Sequence, residues 1–146
     1  MTPRERFIEM ILYVLRNLEM PYCYGVDVLR QILFEADYVS YIAQGEAVTG
    51  RLSVVNGGLP TPRQYVPILN ELEDQGDVIH YLLNRGKSLL TPQRRVKRGT
   101  FNDKNIRVIE RAINNNCGDP AYTLTGWESI PEGDVIPYDS VTLVPI

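Results

Sequence analysis

The chain has 146 residues, 44% hydrophobic and 23% charged, with a formal net charge of −3. That length suits one domain, residues 1–146, with a sizeable core, and the composition excludes a disordered, collagen-like or coiled-coil description of the whole. The longest stretch free of Asp, Glu, Lys and Arg, Leu52 to Pro62, is eleven residues, short of the roughly 18 apolar residues of a membrane span.

The N-terminus, Met1-Thr2-Pro3-Arg4-Glu5-Arg6, mixes acid with base and does not read as a secretory signal, so a cytoplasmic location is expected. Phe7, Ile8, Ile11, Leu12, Leu15 and Leu18 recur at helical spacing and predict an amphipathic helix over Pro3–Leu18. Thr2 with Glu5 has the spacing of a capping box, and Pro3 suits a first turn. Glu19-Met20-Pro21 closes it. Val26, Leu29, Ile32, Leu33, Ala36 and Val39 predict a second helix, about 25–41, with Asp27, Arg30, Gln31 and Glu35 on its polar face and Gly45 ending the region.

Residues 49–55 read as a short strand and Asn56-Gly57-Gly58 as a turn. Thr61-Pro62 reads as the approach to a helix. Because Pro67 disfavours a helix interior, the regular helix is expected over Val66–Gln75, with Gly76 just past its end. Val78 to Leu83 is β-prone, and Asn84-Arg85-Gly86 suits the turn of a hairpin with Lys87–Thr91. Asn102 predicts the cap of a further helix buried along Ile106, Ile109, Ala112 and Ile113. The tail from Asp119 reads as irregular, with short strands at Val135-Ile136 and Val141–Val144. The expected fold class is mainly α (α+β), a compact domain of about four to five helices with a small hairpin and short strands.

Charge is uneven along the chain. Arg85, Lys87, Arg94, Arg95, Lys97 and Arg98 fall in one acid-free segment; the other nine bases face eighteen acids, leaving the remainder at −9. Such a segment is a solvated loop, compensated by the chain's own acidic surface, or a contact patch for an acidic partner. Nothing supports catalysis. His80 is the single histidine and has no nucleophile or second histidine in motif spacing. Glu71, Glu73, Asp74 and Asp77 read as a solubilising run. No phosphate-cradling or dinucleotide motif is present. Cys23 and Cys117 form no CxxC pair and are expected to be reduced thiols. Neither a cofactor nor a metal is expected. Nine tyrosines against three phenylalanines, with Tyr22, Tyr24, Tyr38 and Tyr41 close in sequence, suggest an interface or a wet core edge.

Ile32-Leu33-Phe34-Glu35-Ala36-Asp37-Tyr38 resembles the "KLLYFAD" helix of the Panacea-domain (SocA-like) antitoxin family. Gly45 and Val48-Thr49-Gly50 resemble the family's following "G..ITG". Gly57-Gly58-Leu59-Pro60 stands at the place of its Gly-Pro-Val-Pro turn, and Leu69 to Gly76 followed by Asp77-Val78-Ile79 is similar to its "L..L...G.I". Trp127 with Gly133-Asp134-Val135-Ile136 resembles its C-terminal half. Gln31 stands where the family has a lysine and Gly58 where it has the turn proline; the family's histidine before the tryptophan is missing, as in a divergent, phage or prophage member. The resemblance implies structural roles for Leu33, Ala36, Asp37, Thr49, Gly50, Gly57, Pro60, Gly76 and Trp127. It also implies a recognition module, not an enzyme, that neutralises a protein toxin by binding it or delivers it for proteolysis.

Candidate partner contacts are Tyr38, Tyr41, Arg94, Arg95, Lys97 and Arg98. Expected partners are a cognate protein toxin and a second copy of the chain, with no membrane. The alternative is a winged-helix-like nucleic-acid-binding regulator, in which Arg85 and Lys87 on the hairpin touch phosphates.

Overall fold

A computed structural model describes residues 1–18, 25–83, 85 and 87–146. Among them, in chain order, are α1 (Pro3–Asn17), α2 (Val26–Gln44), β1 (Ser53–Asn56), β2 (Leu59–Pro62), α3 (Tyr65–Asp74), β3 (Val78–Leu82), β4 (Ser88–Pro92), α4 (Asp103–Cys117), β5 (Tyr122–Thr125), β6 (Val135–Ile136) and β7 (Thr142–Pro145). The architecture is therefore mixed α+β, with four helices and short antiparallel strands. No helix among the described residues is long and apolar enough to cross a membrane.

Local chemistry explains where the helices begin and end. Thr2 accepts from the Glu5 N–H while the Glu5 carboxylate accepts from the Thr2 N–H, a full capping box with Pro3 in the first turn. Asn102 and Asn105 make the same reciprocal pair at the start of α4. At the end of α3 the Gly76 N–H reaches the Glu73 carbonyl and the Asp77 N–H the Leu72 carbonyl, a Schellman closure that needs the positive φ of Gly76. Pro67 sits in the first turn of α3, where its missing donor costs no intrahelical bond, so the helix starts before it.

Helix α2 is the centre of the molecule. Residues 32–40 are all buried, as expected of a helix covered on every side. It packs against α1, α4, β2 and β4. Glu35, expected on a polar face, is 4% exposed; Gln31 Nε2 (2.8 Å) and Asn115 Nδ2 (3.0 Å) donate to its carboxyl. The Ser40 hydroxyl donates to the Glu46 carbonyl at 2.7 Å.

Among the described residues three small antiparallel sheets surround this helix, with orders β2-β1-β6, β3-β4 and β5-β7. The β1–β2 turn is Gly57-Gly58, both at positive φ, closing Asn56 against Leu59, which is the backbone that a two-residue hairpin demands. Two sequence expectations are corrected here. Thr61-Pro62, read only as the approach to a helix, is also the end of strand β2, with a short turn at 63–64 leading into α3; Pro60 and Pro62 lie on a sheet edge, where a missing donor is tolerated. In the tail from Asp119 the short strands at Val135–Ile136 and Thr142–Pro145 form close to their expected places, and the strand not expected is Tyr122–Thr125, which pairs with Thr142–Pro145. The first strand covers 53–56, not 49–55, and α2 runs three residues beyond the expected end.

Candidate functional site

Of the residues that carried the family resemblance, Leu33, Ala36, Asp37 and Thr49 lie on or against the middle of α2, whereas Gly57, Gly76 and Trp127 lie elsewhere in the fold. Leu33 and Ala36 are core. Asp37 is 1% exposed, and the loop after α2 folds over it. Its carboxylate accepts the Thr49 N–H at 2.7 Å, the Thr49 hydroxyl and the Arg51 N–H at 3.2 Å. Burial pushes the Asp37 carboxyl up to about 6, against the Thr49 hydroxyl and the Thr49, Arg51 and Val48 backbone donors, which hold it down. This node pins residues 48–51 to α2, and Gly50 there lies 3.7 Å, measured from where a Cβ would sit, from Pro3 of α1. Pro60 is buried in β2, its carbonyl accepting Arg30 Nη1 at 2.8 Å. The Gly57 and Gly58 N–H groups donate to the Glu132 carboxylate at 2.6 and 3.0 Å, tying the β1–β2 turn to the C-terminal half.

Tyr38 is corrected from partner contact to core. It is 0% exposed; its hydroxyl donates to the Ile136 carbonyl at 2.6 Å and accepts the Ser53 N–H at 2.9 Å. Burial raises it to about 12. Its ring lies 4.7 Å from Phe34 and 4.6 Å from Tyr138, and Tyr138 stacks on Tyr41 at 5.2 Å. Tyr41 is half-buried at the outer end of this column, so it alone of the two shows a face to solvent. Trp127, for which the resemblance implies a structural role, is half-buried and packs against the core's edge. Tyr22, Tyr24, Cys23, the 19–21 stop and the turn residues Asn84 and Gly86 lie outside the described residues.

The basic segment divides in two. Arg94 is turned inward: its guanidinium grips Glu9 of α1 at 2.9 and 2.7 Å and lies 3.4 Å from Asp77. Glu9 is 2% exposed and also accepts the Lys97 N–H at 2.8 Å. Burial works to raise the Glu9 carboxyl, but the Arg94 and Lys97 hydrogen bonds and charges outweigh it and hold it below its ordinary value. Arg94 is thus corrected from partner contact to structural clasp. Arg95, Lys97 and Arg98 are exposed, as are Arg85 and Lys87. Among the described residues, the ion pairs are Arg4–Glu71, His80–Glu73, Arg94–Glu9 and Arg94–Asp77. Among the described residues the acidic surface therefore pairs with one base of the segment, and the other five are exposed.

His80 is exposed, its Nδ1 3.4 Å from Glu73. Around it β3 is unusually apolar for an exposed strand: Ile79, Tyr81, Leu82 and Leu83 are all open to solvent, Leu82 at 81%. Two surface depressions are lined mainly by polar groups. One, of about 300 Å³, lies over the Arg94–Glu9 clasp beside Arg4 and Glu71. Another, of about 410 Å³, is lined by Arg6, Glu46 and Asn105. Among the described residues no group of three or more His, Cys, Asp or Glu could hold a metal ion. Cys117 is disulfide-bonded, which corrects the expectation of a reduced thiol there.

No protein-family model matches the chain, and neither a curated protein nor a solved structure does.

Proposed function

We propose that the chain is an antitoxin-like protein-binding module that neutralises a cognate protein toxin by direct contact or presents it for proteolysis. The observation that carries this reading is the exposed basic set Arg95, Lys97 and Arg98. It is held in place by the inward Arg94–Glu9 clasp and has no acidic partner among the described residues. An exposed basic patch on an otherwise acidic chain favours an acidic partner surface and speeds encounter with it. The resemblance to Panacea-domain antitoxins adds the class of partner, and a cytoplasmic site of action belongs to the same proposal.

The test is co-expression with the product of the neighbouring reading frame. Growth rescue is expected with the native chain. It is lost with the triple reversal Arg95→Glu, Lys97→Glu and Arg98→Glu at unchanged thermal stability. Full rescue by the triple reversal refutes the role of the patch, and no rescue by the native chain refutes the toxin reading.

One observation favours nucleic acid as the alternative partner: Arg85 and Lys87 stand on a hairpin that directly follows α3, the layout of a winged helix. Against it, α3 carries Glu71, Glu73 and Asp74 where a recognition helix would approach phosphates. Binding of the native chain to duplex DNA that falls steeply with salt, alongside a failed rescue, selects this reading.

A further inference from the structure

Among the described residues no strand pairs with the outer edge of β3. In the β3–β4 ladder Asp77 accepts from the Gln93 N–H and the Leu83 N–H donates to Lys87, with Ile79 opposite Thr91 and Tyr81 opposite Leu89. Antiparallel pairs alternate between hydrogen-bonded and non-bonded, so the odd-numbered residues of β3 serve the ladder. His80 and Leu82 send their N–H and C=O groups the other way. The sheet has two strands. Its β4 edge is flanked by the chain at Gly25, where a Cβ would lie 3.8 Å from the Ser88 carbonyl. The β3 edge carries none of the lysines, prolines or bulges that usually blunt an exposed strand.

We infer that this edge pairs with the same edge of a second copy of the chain, giving an antiparallel four-stranded sheet β4-β3-β3-β4 about a twofold axis at Tyr81. Bonds across the new edge can form only between outward-pointing residues, so His80 faces Leu82 of the second copy. In that register Ile79, Tyr81 and Leu83 from both chains line one face as a continuous apolar stripe. These are three of the exposed large apolar side chains of the molecule, at 38%, 48% and 36%.

Charge selects a second copy over a foreign strand. The register sets the basic turn, Arg85 and Lys87, beside the acidic end of the other chain's α3, where Glu73, Asp74 and Asp77 lie. The twofold axis makes that contact twice. A parallel pairing would instead set the two basic turns side by side. The inference is independent of the toxin reading.

Light scattering after size-exclusion chromatography, across micromolar to millimolar loading, tests it. The native chain is expected to move from 16.6 kDa towards twice that mass. Leu82→Pro removes an outward N–H that the β3–β4 ladder does not use, so it is expected to keep the fold and remain monomeric. Two charge variants test the register. Arg85→Glu with Lys87→Glu, and Glu73→Lys with Asp74→Lys, should each be monomeric alone and form a mixed dimer when combined. A native chain that stays at 16.6 kDa throughout, a dimeric Leu82→Pro, or failure of the two charge variants to associate overturns the inference.

Discussion

Replacing Glu9 with Gln tests the clasp that mounts the basic segment. The carboxylate accepts three hydrogen bonds, two from the Arg94 fork and one from the Lys97 N–H. An amide keeps one acceptor and turns its own donors toward a guanidinium. Breaking a buried ion pair from one side typically costs about 3–5 kcal/mol. Arg94, however, keeps Asp77 at 3.4 Å and has 31% of its side chain in water, so its charge is not stranded. The expected loss is therefore about 2–4 kcal/mol at pH 7, read as a lower urea midpoint at unchanged slope. The sign of the pH dependence follows from the lowered Glu9 carboxyl. Its stabilisation is present above the ordinary value of 4.5 and fades as pH falls through the depressed folded value. The gap between native and Glu9→Gln should thus narrow on acidification below 4.5. A loss under about 1 kcal/mol at pH 7, or a gap that widens in acid, refutes this account.

Three further outcomes follow. Asp37 is raised from 3.8 to about 6, so its contribution runs opposite to that of Glu9: stability falls as pH rises from about 4 to 6, by up to about 3 kcal/mol. Asp37→Asn should abolish that slope in urea titrations while lowering stability at every pH; an unchanged slope refutes it. Trp127→Ala should cost about 1–2 kcal/mol in thermal melts, below the roughly 3–5 of a fully buried aromatic, because the ring is half covered. With Cys117 disulfide-bonded, thiol titration of the denatured, unreduced chain should find no reactive thiol, and reductant should lower the melting temperature; two thiols before reduction would contradict the bond.

Features whose cause is local were legible in the residues. The boxes at Thr2–Glu5 and Asn102, the apolar periodicity of α1 and α4 and the hairpin around Arg85 all express interactions within a few positions, and each element formed within a residue or two of its expected bounds. What escaped was non-local. Glu9 and Arg94 are 85 positions apart, and no spacing rule joins them. Strand β2 was hidden by its own prolines, which an edge tolerates but which read as breakers. Tyr38 looked like an interface residue because its polar tip suggested water, whereas Ser53 and Ile136 satisfy that tip inside the fold.

That last pair of bonds also orders events during synthesis. β6 pairs with β1 through Ser53–Ile136 and Val54–Val135, and the Tyr38 hydroxyl spans the same two strands. All four helices are translated before Ile136 emerges from the ribosome. Until then the β1 edge facing β6 lacks its partner and the Tyr38 hydroxyl lacks its acceptor, and the nascent chain displays an open strand beside a nearly complete helical core. Such long-range closure is slow relative to helix formation. A ribosome stalled before Val135 and Ile136 emerge would leave a chain able to recruit strands from its neighbours, and arrival of β6 is the step that seals it.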